Sequence, residues 1–358
     1  MLPDDWLSVA LEPPRAHGEP LGAGSIRVAP EDFVVDELLG FEPAGDGPHV
    51  MLQVRKCGAN TEWVARELAR HAKCRPFDVG FAGLKDRHAV TTQHFTVPRG
   101  RDTVESWLDV AGDGYEVLAA TGHTRKLPRG ALAGNRFELR IRNVRTAAGA
   151  PVAAAVLAAR LDAIKMTGVP NYFGPQRFGR DANNLRSVAA GDLPRDRSTR
   201  GYVLSTARSL IFNAVLGERV RDGSWNQLLP GDAANLEGSG SVFPVTELDD
   251  ALRARVLEGD LHPTGPLCGA SEQSAARQLV GAAPALLEAS VAARFPAALQ
   301  LIERAAMKPE RRALRLMAGD LAFDMLEASA LRLRFTLPAG SFATTVLREL
   351  VAADNSGE

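Results

Sequence analysis

The sequence predicts an α+β protein with one strand-rich domain and a second, largely helical segment inserted into it. Three observations support this prediction. Apolar and polar residues alternate in the first half of the chain, as they do in strands that are buried on one face. The middle of the chain is rich in alanine, leucine and charged residues, which is typical of helices. The alternation then returns at residues 331–337, near the carboxyl end.

The first elements of the chain follow from these patterns. Residues 50–55 (VMLQVR) alternate and predict a strand. Residues 60–72 (NTEWVARELARHA) predict a helix capped by Asn60 or Thr61, because their apolar side chains fall on one helical face. Residues 137–142 (FELRIR) alternate again and predict a further strand.

The middle of the chain is predicted to be mostly helical. Helices are expected at residues 152–165, at 205–221 with Ser205 as a cap, and through most of 272–315. Glycine and proline punctuate residues 168–180 (GVPNYFGPQRFGR), which indicates a structured loop or a domain junction.

Domain boundaries follow from the order of these elements. We expect residues 1–167 and 317–358 to form one domain on a mixed, largely antiparallel sheet. Residues 168–316 are expected to form a separate, α-rich lobe.

Composition excludes several classes of protein. Hydrophobic residues make up 45% and charged residues 24% of the 358 residues, a mix typical of soluble globular proteins. The amino terminus does not resemble a secretory signal, and no run of 18 apolar residues predicts a membrane span. The cysteines are few and far apart (Cys57, Cys74 and Cys268), so we expect neither disulfides nor a zinc site. The absence of a disulfide pattern favours a cytoplasmic location.

Two stretches of the chain are locally basic although the net charge is −1. Residues 125–145 carry seven basic side chains and one acid, and residues 177–208 carry seven arginines and three aspartates. Such faces can attract a polyanion such as nucleic acid, although ordinary solvated faces have the same composition.

Residues 81–97 (FAGLKDRHAVTTQHFTV) carry the strongest chemical signal. A short apolar run leads into three charged residues and then a β-type run, so Asp86 lies at the edge of a predicted strand between Lys85 and Arg87. A carboxylate beside cations stays ionised, as a nucleophile or general base requires, although a solvated turn aspartate would look the same. The six-residue spacing of His88 and His94 fits no common ligand motif, so no metal is expected.

Several aromatic residues lie beside basic or polar ones. Aromatic side chains in such settings can stack on unpaired bases. For Phe137, within an alternating strand, a place in the core is an equally serious reading. The set comprises Phe33, Phe137, Tyr172, Phe173, Phe178 and Phe342.

Six stretches, taken together, resemble the TruD family of pseudouridine synthases. They run in the family's order and cover nearly the whole chain. They are APEDFVVDELLGFEP (29–43), FAGLKDRHAVTTQ (81–93), RGALAGNRFELRIR (129–142), GVPNYFGPQRFG (168–179), LSTARSLIFN (204–213) and LPAGSFATTVLREL (337–350).

The resemblance implies a fold and an activity. The fold would be a pseudouridine synthase core with a large inserted domain peculiar to this family. The activity would be isomerisation of uridine 13 in tRNA, with glutamate tRNA as the expected substrate. Rearranging a base on its ribose needs no redox step, so no cofactor is expected, and we expect a monomer.

The resemblance also assigns roles to individual residues. Asp86 falls on the catalytic aspartate. Four residues fall on positions near the target nucleotide, namely Phe33, Asn135, Phe137 and Phe342, and Phe137 replaces the tyrosine of other pseudouridine synthases. Arg27 falls on a basic position beside the catalytic carboxylate that is commonly lysine, so it keeps the charge but changes the donor geometry.

Two other functions fit the same residues. An RNA N-glycosidase or nuclease would use the same aspartate and release free uracil or cut RNA. A non-catalytic RNA-binding protein or tRNA folding chaperone would need the basic and aromatic residues but not Asp86.

Overall fold

The computed structural model describes residues 2–101, 103–270 and 279–355, and the chain divides into two compact units. The sheet unit comprises Pro20–Ala158, Gly319–Gly340 and Leu350–Glu358. The helical unit comprises Met1–Glu19, Ala159–Ala318 and Ser341–Glu349. Each is described by itself below.

The sheet unit is built on a mixed sheet of 11 strands within the described residues. Its strands are β1 (Ala23–Ile26), β2 (Phe33–Leu38), β3 (His49–Lys56), β4 (Gly80–Phe81), β5 (Val90–Pro98), β6 (Ala111–Gly112), β7 (Tyr115–His123), β8 (Gly134–Arg145), β15 (Gly319–Glu327), β16 (Ala330–Pro338) and β17 (Ala352–Asn355). The long path runs β15-β16-β8-β2-β5-β3-β7-β6. Its pairs are antiparallel except for β2 with β5, and β1 pairs in parallel with β17.

Helix α2 (Thr61–His71) covers part of this sheet. Its inward residues Val64 and Leu68 are fully buried against Leu52 and Val54 of β3 and Phe95 of β5. Burying side chains of this size stabilises the unit by roughly 1.5–3 kcal/mol each.

The helical unit contains α1 (Asp4–Leu11), most of α3 (Ala154–Thr167), α4 (Asn183–Ala189), α5 (Arg197–Arg221), α6 (Asp250–Leu257), α7 (Ala282–Ala292), α8 (Pro296–Arg304) and α9 (Ala343–Arg348). The 25-residue helix α5 lies at its centre. Because α5 is buried on several faces, Leu210, Ile211 and Phe212 are all fully buried.

The helical unit also has strands. A four-stranded antiparallel sheet joins β10 (Ala233–Leu236), β11 (Val242–Pro244), β12 (Leu261–Leu267) and β13 (Glu310–Ala313). A two-stranded sheet joins β9 (Val169–Pro170) and β14 (Arg315–Leu316).

Membrane spans were sought among the described residues. None of the helices is, alone, long and apolar enough to cross a bilayer. One pair, Ala283–Ala292 and Pro296–Arg304, passes that test of length and composition only when its helices are taken together, and it bends by 95° at the break.

The predicted α+β class is confirmed, as are the strands expected at 50–55, 137–142 and 331–337. The last of these, β16, pairs along its length with β8. One prediction is wrong: residues 310–313 form strand β13 instead of helix. Arg311 there is buried and pairs with Glu288 and Thr264, and these contacts outweigh the helical composition.

Two of the predicted helices differ from the structure or lie partly outside its described residues. Helix α5 begins at Arg197, eight residues before Ser205, because the Asp196 side chain accepts from the backbone N–H of Thr199. Part of the predicted 272–315 helix, residues 272–278, lies outside the described residues.

The compact units follow the expected domain boundaries only in part. The borders at 158/159 and 318/319 lie near the expected 167/168 and 316/317, but residues 1–19 and 341–349 belong to the helical unit. Apolar contacts explain the difference, since Trp6 and Phe342 pack with the cluster around α5. Which segment carries which function stays a prediction.

A buried ion pair gives a test of the helical unit. Arg219 donates to Asp232 at 2.9 and 3.0 Å, and both side chains are at most 3% exposed. Removing one partner leaves a buried charge, so Arg219→Met should lower the free energy of unfolding in urea by about 3–5 kcal/mol. Asp162→Asn, which removes the exposed pair with Lys165, should change it by under about 0.5 kcal/mol. Equal effects of the two changes would contradict this account.

Candidate functional site

Asp86 lies in a loop of residues 82–89, called here the Asp86 loop, which connects β4 to β5. Its Oδ2 atom is 2.8 Å from Nη2 of Arg27. Its Oδ1 atom accepts the backbone N–H of His88 at 3.0 Å. The side chain keeps 29% of its surface exposed, so the carboxylate is held on both oxygens and is still open to a ligand.

Arg27 directly follows β1 and is buried, with 5% of its side chain exposed. Its φ angle is +57°, a left-handed conformation that costs an L-residue about 1–2 kcal/mol. The guanidinium carbon lies 4.3 Å from the ring centre of Phe33. Arg27 therefore joins the Asp86 carboxylate to an aromatic ring, and its strained backbone lies where a functional constraint is expected.

The backbone of the Asp86 loop is held by Lys56, the last residue of β3. This lysine is 1% exposed, and its Nζ donates to the carbonyls of Asp86 at 2.8 Å, Ala59 at 3.0 Å and Lys85 at 3.4 Å. Burial lowers the pKa of Lys56 to about 8, although the nearby Asp86 carboxylate favours the charged form. Three carbonyl acceptors match the three N–H donors of an ammonium group.

A second buried cation lies beside Asp86 in the chain. Nζ of Lys85 is 3.3 Å from Oε2 of Glu37 and donates to Oδ1 of Asn135. Glu37 and Asn135 are paired residues on β2 and β8. Burial alone would raise the pKa of Glu37, but hydrogen bonds from His94 and the charge of Lys85 lower it overall. The site thus contains a buried, ionised carboxylate that does not itself contact Asp86.

The polar end of α2 fixes the loop from another direction. Thr61 Oγ1 accepts the backbone N–H of Lys85 at 3.0 Å and donates to Oε1 of Gln93 at 2.8 Å. Gln93 in turn donates to the carbonyl of Gly83 at 3.3 Å. The loop is therefore tied to α2 and β5 as well as to β3.

Two predicted aromatic residues are mostly buried. Phe33 and Phe137 are 5% and 7% exposed and meet edge to face, with ring centres 6.3 Å apart. Phe137 also stacks on Phe335 at 5.3 Å. Phe137 is thus a core residue in this structure, and a base can reach little of its ring.

Five of the six predicted residues lie in the sheet unit and are linked through these contacts. They are Arg27, Phe33, Asp86, Asn135 and Phe137. Phe342 belongs to the helical unit, where it contacts Phe173 at 6.3 Å between ring centres and Arg177 at 6.0 Å. Within the described residues no group of three or more His, Cys, Asp or Glu side chains could hold a metal ion.

Sequence reasoning missed Lys56 and Glu37, although a signal for both was present. Along β3 the buried positions Val50, Leu52 and Val54 continue to Lys56, and along β2 the buried positions Phe33 and Val35 continue to Glu37. A charged residue at a buried position of a strand needs a polar partner. Partners of both Lys56 and Glu37 lie in the Asp86 loop.

Comparisons with known proteins show which family the chain resembles. The family model of TruD, tRNA pseudouridine synthase D, matches residues 16–200 and 196–350. The tRNA pseudouridine synthase D of Methylococcus capsulatus is 46% identical over 348 residues, which cover 96% of this chain and 95% of that protein. The protein of the same name from Nitrosococcus oceani is 46% identical, with 93% and 91% covered.

The chain belongs to the TruD family of tRNA pseudouridine synthases. The fold agrees: the crystal structure of a proposed TruD from Methanosarcina mazei superposes with a TM-score of 0.75, at 21% identity and with 99% of both chains covered. As a member of that family, the protein is an isomerase with a tRNA substrate.

Lys56 provides a test of how the site is held. Lys56→Met keeps the volume and removes three donors from the Asp86 loop, so kcat should fall about 10–100-fold, a loss typical of a misplaced catalytic group. KM should change less than kcat. Lys165→Met, on an exposed helix face, serves as the matched control and should be fully active.

The pH dependence separates this role from simple instability. Lys56 is charged below about pH 8 and neutral above it, where two N–H donors remain for three carbonyls. Wild-type kcat should therefore decline as the pH rises through 8, while Lys56→Met should stay low and flat over that range. A wild-type decline that Lys56→Met shares would contradict the assignment.

Proposed function

We propose that this protein isomerises uridine 13 of tRNA to pseudouridine, with glutamate tRNA as its principal substrate and Asp86 as its catalytic residue. The observation that carries the proposal is the fixed carboxylate of Asp86, which is paired with Arg27 and partly exposed. The family supplies the reaction class, and the geometry supplies a group that can begin it.

The reaction is an isomerisation in which atoms balance without a cofactor. The bond from ribose C1′ to uracil N1 breaks, the base turns, and C1′ bonds to C5. The proton on C5 leaves, and N1 ends with a proton. Asp86 can attack C1′, attack the base, or remove a ribose proton, and all three roles require an ionised carboxylate.

The neighbouring groups suit these roles. Arg27 orients the Asp86 carboxylate through a 2.8 Å contact. Oδ1 of Asn135 already accepts from Lys85, so the remaining Nδ2 donors are the atoms that can bond a uracil carbonyl. Phe33 is proposed to contact the base, and Phe137 to contact it through the small exposed part of its ring. Phe342 is proposed as a further contact to the nucleotide.

The biological setting is part of the same proposal. We infer a monomer that acts in the cytoplasm on free tRNA and does not depend on a membrane, a metal or a nucleotide cofactor. A non-catalytic tRNA chaperone would need basic and aromatic surfaces, but a carboxylate held by a buried arginine and a backbone N–H gives such a protein no advantage.

Asp86→Asn tests the catalytic role. The change keeps the volume and removes the ionisable group, so kcat for pseudouridine formation should fall at least about 10³-fold, while tRNA affinity stays within about threefold. Asp36→Asn, one of the outward positions of β2, should remain active. Formation should be measured by chemical labelling of pseudouridine and primer extension.

Each failure of that experiment has a distinct meaning. Near-normal conversion by Asp86→Asn would remove Asp86 from the chemistry. A folded Asp86→Asn that no longer binds tRNA would give the residue a structural role.

The target position has a separate test. Glutamate tRNA from cells that lack the protein should lose pseudouridine at position 13 and keep it elsewhere, and the purified protein should restore it. A transcript with cytidine at position 13 should acquire none. Conversion at another position of that transcript would contradict the proposed specificity. Release of free uracil from the unchanged glutamate tRNA would indicate a glycosidase instead.

A further inference from the structure

An aromatic side chain is exposed beside a lysine on the sheet unit. Phe77, which follows α2 in a short 3-10 turn (Pro76–Asp78), is 80% exposed. Nζ of Lys126 lies 4.3 Å from the centre of its ring and donates to its carbonyl. The exposed ring is therefore open to a stacking partner.

A groove runs from Phe77 to Phe81, called here the Phe77 groove, and is also lined by Lys126, Pro128 and Arg129. The guanidinium carbon of Arg129 lies 3.6 Å from the ring centre of Phe81. Asp78, which follows Phe77 in the chain, is paired with Arg75 at 3.0 and 3.2 Å. The groove thus presents an apolar floor, with two cations above aromatic rings.

The groove is firmly joined to the Asp86 loop. Phe81 ends β4 and Ala82 begins the loop, so the Phe81 end of the groove lies within about 18 Å of Asp86 by the reach of five residues. The Gly130 N–H donates to the carbonyl of Ala82 at 2.7 Å. The Leu127 N–H donates to Thr96 on β5 at 2.8 Å. Both walls of the groove are therefore fixed to the elements that hold the site.

We propose that the Phe77 groove binds an unpaired base of the tRNA near the target uridine, with the base stacked on Phe77 and the flanking phosphates on Lys126 and Arg129. This inference rests on the proposed function, since it assumes that RNA lies on the Asp86 loop. It adds one aromatic contact outside the set Phe33, Phe137 and Phe342.

Chemistry favours an unpaired nucleotide as the occupant. A base has a π face that stacks on an aromatic ring, and its phosphates pair with cations. Two other basic residues of this stretch have carboxylate partners: Arg142 pairs with Asp32 and Arg140 with Glu327. In the described part of the chain neither Lys126 nor Arg129 makes an ion pair of that kind.

Phe77→Ala, Phe77→Trp and a control test the proposal. Because Phe77 is exposed, Phe77→Ala should fold normally, raise KM and the Kd for a tRNA transcript about tenfold, and leave kcat nearly unchanged. Phe77→Trp keeps a stacking ring and should bind as the wild type does. Leu257→Ala, which removes an equally exposed (80%) apolar side chain of α6, should change neither constant. Kd should be measured in the Asp86→Asn background, where no turnover occurs.

Salt dependence tests the two cations. Lys126→Gln with Arg129→Gln should flatten the slope of log Kd against log salt by about 1.4, the value for two phosphates on a single strand. An unchanged slope would remove these side chains from the phosphate contacts.

The outcomes separate this inference from the proposed function. Unchanged KM and Kd in Phe77→Ala, with normal pseudouridine formation by the wild type, would overturn the groove and leave the function standing. A weakened Phe77→Ala beside a wild type that forms no pseudouridine would keep the groove and overturn the function. Failure of Phe77→Trp to bind normally would overturn stacking as the mode of contact.

Discussion

The contact of the buried Lys56 ammonium with the Asp86 loop is the interaction on which the rest of the site depends. A lysine with 1% exposure loses its hydration, and its pKa falls to about 8 as a result. Three backbone carbonyls replace the lost water, and two of them belong to Lys85 and Asp86. The ammonium group of Lys56 thus helps to set the position of the loop. Arg27 then orients the carboxylate that this backbone presents.

Strand pairing brings the residues of the site together from distant parts of the chain. Each lies at or near a strand end, where side chains are packed on one side and open on the other. Arg27 follows β1, Lys56 ends β3, the Asp86 loop precedes β5, and Glu37 of β2 pairs with Asn135 of β8. The parallel register of β2 and β5, with Val34 opposite Val90, places the start of β5 beside the start of β2. The sheet therefore acts as a rigid frame, and the residues of the site lie at the ends of its strands.

Much of this frame could be predicted, because alternation in β3, β8 and β16 has a period that only strands share. Asp86 could be identified by its charged neighbours and the β-type run that follows. Asn60 or Thr61 was expected to cap α2, and Asn60 occupies the N-cap position. The Thr61 hydroxyl instead binds Gln93 and the Lys85 N–H, a tertiary contact that no local pattern reveals. The positive φ of Arg27 could not be predicted either, because a positive φ is expected at glycine and not at arginine. Strand β13 was predicted to be helical because composition outweighed the unseen partners of Arg311.

The central claim is that the fixed Asp86 carboxylate starts an isomerisation that loses only the C5 proton of the target uridine. A tRNA transcript with tritium at C5 of uridine 13 alone measures this directly under single-turnover conditions. The account predicts that the wild-type protein releases about one tritium per tRNA, keeps the base attached to its ribose, and forms pseudouridine at the same rate. Free labelled uracil, or tritium release that proceeds equally well without the Asp86 carboxylate, would contradict it.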